Sequence, residues 1–489
     1  MIPPPSSIRR VIGLTAAALA AALVSPILSA SARAETPRAE LGKRLRRFEI
    51  AWQEADAPRR AAAVEPMTAA VRSFFTLHLQ AAASHLDEAW YAVRSREAPK
   101  TAERAAIATA VTATPLLADT TDETLSVAFE PFYEAKRDVA AAAPTRLRLS
   151  IVDGAGETRA QRQGDWAETG GTIQWQTGPL PAGDLTLVVE WLDEQESIEI
   201  ARIGLSRVER LRERLDALAA AANTWPEATL PTVRATVAAL LRLFNSLADG
   251  RGQETDFPAA RLLRFAEGLR AGAGLPADTI REAARSGDVW LTLSAGRGEV
   301  PVRLRAPANA AGPLPVLFLH HGAGGSENMF FDTCGAGRAA TLGIERGWLV
   351  VAPRQGLFGL ALDVEEMLEL LGDSFEIDTS RVFLVGHSMG AGQVAKQVGL
   401  HPEGVAAAVA LGGGAAAPAG EKAKRVPWLV AAGAADFGRP GAAALAKRLE
   451  AGGATVDFRE YPDVEHMVIV QAALDDVFRF LDTVAAGGR

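Results

Sequence analysis

The pentapeptide Gly386-His387-Ser388-Met389-Gly390 carries a serine between two glycines, at a point where a strand pattern gives way to a helix pattern. Upstream is the apolar run Val382-Phe383-Leu384-Val385, introduced by Ile377-Asp378-Thr379-Ser380-Arg381. Downstream, Ala391 to Val398 reads as a helix. Glycines on both sides permit a turn too tight for side chains, and such a turn lifts the serine hydroxyl clear of the sheet. A hydroxyl is a poor nucleophile unless a base takes its proton and a carboxylate orients that base. His466 is the only histidine after His401, which makes it the expected base. Asp436 leaves the apolar strand Trp428 to Ala432 and is the expected carboxylate. Asp463 and Glu465 compete with it, but they sit too near His466 in sequence to reach its far ring nitrogen easily.

Negative charge developing on an attacked carbonyl needs backbone N–H donors. Met389, following the serine, is expected to supply one. Ala323, in the loop His321-Gly322-Ala323-Gly324-Gly325 after the strand Val316 to His320, is expected to supply the other. Gly324, His387 and Arg354 are candidate substrate contacts. Arg354 leaves the strand Leu349 to Ala352 at the sheet edge where ligands bind; its alternative role is a salt bridge tethering a loop. The glycine loop lacks the lysine and spacing of a phosphate cradle. His320 and His321 alternate across a strand with no partner cluster, so no metal is expected there. No cofactor is expected either.

Eight strand patterns follow from about Val289 to Tyr461, the first two as a hairpin and the rest alternating with helices. From about Asp288 to the end the chain resembles the α/β-hydrolase fold. The resemblance is carried by Phe318-Leu319-His320-His321-Gly322-Ala323-Gly324-Gly325, by Ile377 through Gly390, and by Gly433-Ala434-Ala435-Asp436-Phe437-Gly438. Within that fold it is similar to carboxylesterases, polyhydroxybutyrate depolymerases and feruloyl esterases, and to esterase-like relatives of prolyl oligopeptidases. The resemblance implies a doubly wound α/β sheet and a serine hydrolase acting on a small-molecule or polymeric carboxylic ester. A peptidase, and a binding protein that has lost activity, are the alternatives; no propeller repeat supports the first. Several members carry Leu-Ser where this chain has His-Ser, so the elbow does not choose a substrate. The segment from Gly412 to Val426 is too short for a helical lid. Short acyl esters are therefore expected as substrates and long-chain triglycerides are not, unless the N-terminal half covers the site.

With 489 residues there is room for roughly two to four domains. Residues 1–34 hold Arg9-Arg10, an apolar stretch from Val11 and the small-residue site Ala32-Arg33-Ala34, the pattern of a secretory signal. Pro26 and the Ser/Ala-rich end argue against a permanent membrane span. Residues 35–145 read as helical, 146–205 as a small antiparallel β-domain, 206–286 as a helical connector and 287–489 as the hydrolase. A net charge of −8 gives no reason to expect nucleic acid or an anionic membrane as partner. The single cysteine, Cys334, cannot form an internal disulfide and reads as a structural thiol. The chain is expected to be secreted or periplasmic, with no membrane association once the signal is removed. Expression in a secreting host should yield a chain beginning at Glu35, checked by intact mass; retention of Met1 in the membrane fraction would mean an anchor.

Overall fold

Apolar runs buried on both faces belong in the interior of a parallel sheet, and the C-terminal half of the chain is built on that principle. In the computed structural model, residues 35–95, 97–135, 145–166, 170–192, 197–222, 224–225, 230–271, 276–296, 298–309, 312–356 and 359–487 are described. Residues 1–34, where a secretory signal is expected, fall outside them. No described helix is long and apolar enough to cross a membrane.

Among the described residues, five helices come first: α1 (Glu35–Glu54), α2 (Ala57–Ala62), α3 (Val64–Phe75), α4 (Leu79–Arg94) and α5 (Thr101–Ile107). Two sheets follow. One pairs β1 (Thr109–Thr114), β3 (Thr124–Pro131) and β6 (Gly171–Gln176). The other runs in the order β2-β8-β7-β4-β5, from β2 (Leu117–Asp119), β4 (Thr145–Asp153), β5 (Thr158–Trp166), β7 (Gly183–Leu192) and β8 (Ser197–Val208). Strands thus begin at Thr109, inside the segment read as helical. The run Thr109-Ala-Val-Thr-Ala-Thr has side chains too small to announce a period. Its pairing comes from β3, where Leu125, Val127 and Phe129 alternate inward. Helices α6 (Leu211–Ala222), α7 (Pro231–Ala248), α8 (Ala259–Ala271) and α9 (Pro276–Ser286) connect to the second half.

There the eight expected strands all form. They are β9 (Val289–Ala295), β10 (Gly298–Arg305), β11 (Leu314–His320), β12 (Leu349–Pro353), β13 (Ile377–His387), β14 (Ala407–Leu411), β15 (Trp428–Gly433) and β16 (Val456–Tyr461). They lie in the order β9-β10-β12-β11-β13-β14-β15-β16. Strands β11 to β16 are mutually parallel, while β10 is antiparallel to both its neighbours. Every residue of β11, β12, β14 and β15 is buried. The covering helices are the short α10 (Met329–Asp332), α11 (Arg338–Glu345), α12 (Val364–Gly372), α13 (Met389–Leu400), α14 (Arg439–Ala451) and α15 (Ile469–Gly487). A capping box between Asp363 and Glu366 starts α12. Because β12 lies outside β11, the crossovers change direction beside β11 and β13, which is where an open α/β sheet leaves a crevice.

Helix α1 is fastened to this sheet domain by a buried carboxylate. Cys334, Gly335, Ala336 and Gly337 are four consecutive residues at positive φ, a conformation that turns successive N–H groups toward one point. The Glu49 carboxylate sits at that point. It accepts N–H bonds from Cys334 (3.0 Å), Gly335 (3.2 Å) and Ala336 (2.9 Å). Burial pushes the Glu49 carboxyl up to about 7, against the three donors that favour its charged form. The Gln471 side-chain amide donates to the Glu49 carbonyl at 2.9 Å, and Gln53 donates to Gly335 O at 3.1 Å. Behind them, Arg44 of α1 binds Asp87 of α4 at 3.1 Å, and Tyr133 donates to the same carboxylate at 2.8 Å. Glu49→Ala would strand three N–H groups, two of them buried, and should cost about 2 kcal/mol or more. Denaturant unfolding checks this, and limited proteolysis should cut α1 first.

Candidate active site

Three close backbone approaches force the turn after β13. A Cβ at Gly386 would lie 2.2 Å from Gly390 O, one at Gly390 would lie 2.0 Å from His320 O, and one at Gly413 would lie 2.3 Å from Ser388 O. No side chain fits at any of them. Ser388, between two of these glycines, is held at φ 55° and ψ −114°, a strained conformation costing about 1–3 kcal/mol. Its N–H donates to Leu411 O at 2.8 Å, tying the turn to β14.

The strain puts Ser388 Oγ 3.0 Å from His466 Nε2, and His466 Nδ1 lies 2.7 Å from Asp436 Oδ1. The network assigns the proton to Nδ1, leaving the Nε2 lone pair for the serine. Asp436 and His466 are both buried. Asp436 Oδ1 also accepts the Gly438 N–H at 2.6 Å, which fixes the carboxylate plane. The two competing carboxylates are elsewhere. Asp463 is exposed in its turn. Glu465 accepts the N–H groups of Met467 (2.8 Å) and Val468 (2.9 Å) just ahead of α15, and burial pushes its carboxyl up to about 6.

Met389 opens α13, so its N–H has no intrahelical acceptor. Neither it nor the Ala323 N–H donates to a backbone acceptor among the described residues. The Ala323 loop is held rigidly. Gln355 N–H donates to His321 Nε2 at 3.0 Å, so His321 carries its proton on Nδ1 and donates it to Gly322 O at 2.8 Å. The Gln355 side chain donates to His321 O. Burial pulls His321 down to about 4, keeping it neutral.

Two candidate substrate contacts are placed differently from expectation. Arg354 is paired with Glu327, Nη2 to Oε1 at 2.9 Å, and does not reach the cavity over Ser388. Its loop-tethering alternative is what the geometry gives. His387 is buried, and its Nε2 donates to His466 O at 2.8 Å, with the two rings 4.8 Å apart. Burial pulls it down to about 3, so it is a neutral strut for the His466 loop. Gly324, at φ 78°, does line the cavity. A Cβ there would lie 2.6 Å from the Phe74 ring, so α3 presses on the glycine loop.

That contact belongs to a cover the hydrolase segment does not itself provide. A cavity of about 540 Å³ lies over Ser388 and His466, floored by Gly322–Ser326 and walled by Leu41, Leu45, Met67, Ala70, Val71 and Phe74 of α1 and α3. The expectation of a site open to short acyl groups followed from the short Gly412–Val426 loop. The N-terminal helices change that geometry by roofing the site. No sequence period could reveal the roof, since its residues meet the floor across some 286 positions, as in the Arg38 bond to Gly324 O. No group of three or more metal-ligating side chains occurs among the described residues.

No protein-family model matches the chain, and no curated protein does. Among solved structures it is similar to an S-formylglutathione hydrolase from Agrobacterium tumefaciens, at 18% identity over 40% of this chain and 93% of that one, with a TM-score of 0.33. A ferulic acid esterase matches at 18% identity over 40% and 97%, with a TM-score of 0.35. A thermostable esterase matches at 14% identity over 76% and 99%, with a TM-score of 0.38. What decides the fold is the sheet itself: an antiparallel first pair, one exchange in strand order, and a strained serine turn after the fifth strand. Residues 289–487 have the α/β-hydrolase fold. In that fold the crevice lies above the C-terminal strand ends, and Ser388, Asp436 and His466 meet there. Asp436→Asn should lower turnover by a factor on the order of 10³–10⁴, because the wrong His466 tautomer would face the serine. Asp463→Asn, on an exposed turn, should change it by less than about twofold. Steady-state kinetics on one ester checks both.

Proposed function

We propose that the protein is a serine hydrolase that cleaves carboxylic esters through an acyl-enzyme. The observation carrying this reading is the relay Asp436–His466–Ser388 at 2.7 and 3.0 Å, on a strained turn beside two undedicated amides. Ser388 Oγ attacks the ester carbonyl as His466 Nε2 takes its proton. Asp436 holds the imidazole in the reactive tautomer and stabilises the imidazolium. The carbonyl oxygen, now negative, lies toward the Met389 and Ala323 N–H groups. His466 then gives the proton to the departing alcohol. A water activated by the same nitrogen attacks the acyl-enzyme and restores Ser388. The carboxylate, base and nucleophile are all present and in contact, which is what a disused binding domain has no reason to keep.

The substrate is a small-molecule or polymeric ester, and the protein works outside the cytoplasm after removal of residues 1–34. Its net charge of −8 offers nothing to nucleic acid. A fluorophosphonate probe should label the wild-type chain at Ser388 alone. Ser388→Ala should remove labelling and lower kcat by a factor on the order of 10³ or more with the fold intact by circular dichroism. Labelling that survives the substitution, or turnover above about a tenth of wild type, would overturn the assignment.

A further inference from the structure

We propose that helices α1 and α3 form the acyl-binding half of the active site, and that the substrate is an uncharged ester of a medium-length, apolar acyl group. This rests on the ester-hydrolase reading above. The cavity of about 540 Å³ is continuous with Ser388 and has the size and character of chambers that enclose most of a small organic ligand. Leu41, Leu45, Met67, Val71 and Phe74 give its N-terminal wall a hydrocarbon surface, beside the charged Arg38, Glu40, Lys43 and Arg46 of α1.

The direction of the acyl group follows from the chemistry. The departing alcohol takes its proton from His466 Nε2, so it lies on the imidazole side. On that side Phe437, 61% exposed, stacks on the His466 ring at 4.0 Å and meets Phe75 edge-on at 5.7 Å. Phe437 does not line the cavity. The alcohol therefore faces an open aromatic mouth and can leave to solvent. The acyl group stays bonded to Ser388 while water replaces the alcohol, so it is the group that needs an enclosing pocket. The cavity onto which Ser388 opens is the chamber under α1 and α3.

Several of the charged groups that line the chamber already have partners. Arg38 faces Glu254 at 3.9 Å, and Glu254 also accepts from Asn328 at 2.9 Å. Lys43 pairs with Glu40 at 3.3 Å, and Asp256 accepts the Gly204 N–H at 2.9 Å. A charged acyl end would compete with the Arg38–Glu254 and Lys43–Glu40 pairs, and a hydrocarbon chain would not.

The test uses the full chain and p-nitrophenyl acetate, butyrate, octanoate and palmitate. From acetate toward octanoate kcat/KM should rise by up to about fourfold per methylene, the factor corresponding to full burial of one CH2, and it should fall at palmitate when the chamber is full. Ala70→Phe, which fills the wall, should lower the octanoate-to-acetate ratio at least tenfold. Phe74→Ala, which enlarges it, should move the optimum to longer chains; because the two changes act in opposite directions, loss of fold in one leaves the other informative. A flat profile with Ser388-dependent turnover would sink the chamber while leaving the hydrolase standing. Unchanged preference in both variants would do the same. Absence of both fluorophosphonate labelling and ester turnover would overturn the two readings together.

Discussion

Ser388 occupies a backbone conformation that an ordinary residue avoids, and the surrounding sheet is what keeps it there. The neighbouring glycines admit main-chain atoms at distances where no Cβ fits. The cost is met by the parallel core, whose central strands are buried along their whole length. His466 and Asp436 reach the serine because β15 and β16 bring their following loops to the same edge. Everything chemical in the molecule depends on that edge being rigid. The neutral histidines beside it contribute: His321 fixes the glycine loop to the end of β12, and His387 fixes the loop carrying His466.

A second dependence joins the two halves of the chain. The loop from Cys334 to Gly337 adopts four left-handed residues in a row, and the amides of Cys334, Gly335 and Ala336 would be unsatisfied without the Glu49 carboxylate. Burying an acidic group against N–H donors is favourable only if it arrives in register. Glu49 is kept in register by Gln471 and Gln53 and, further along α1, by the Arg44–Asp87 pair. The roof over the site is thus positioned by polar contacts, while Leu41, Leu45, Met67, Val71 and Phe74 turn hydrocarbon toward the cavity.

Much of this was legible in the sequence because it is local. The eight strands of the hydrolase sheet are continuous apolar runs punctuated by turn residues, and the serine turn advertises itself by its glycines. Chain order alone brought Asp436 and His466 into consideration, and the short spacing from His466 was enough to disfavour Asp463 and Glu465. Legibility failed where contacts are distant or side chains small. The Ala/Thr composition of β1 concealed a strand that exists only through its pairing with β3. The role of Arg354 turned on Glu327, and that of His387 on a carbonyl 79 positions away. The short Gly412–Val426 loop left an N-terminal cover as the open alternative, but which helices supply it was not legible, since neither wall is a pocket without the other.

The bond from Gln471 to Glu49 spans 422 positions. Helix α1 precedes α15 in the chain, so its contact with the sheet domain needs a partner that is made long after it. During that interval its leucines and Met67 of α3 have no hydrolase surface to meet, and the chain presents an unpaired apolar face of the kind chaperones hold. The chamber is thus a product of the whole chain: neither half encloses a substrate without the other.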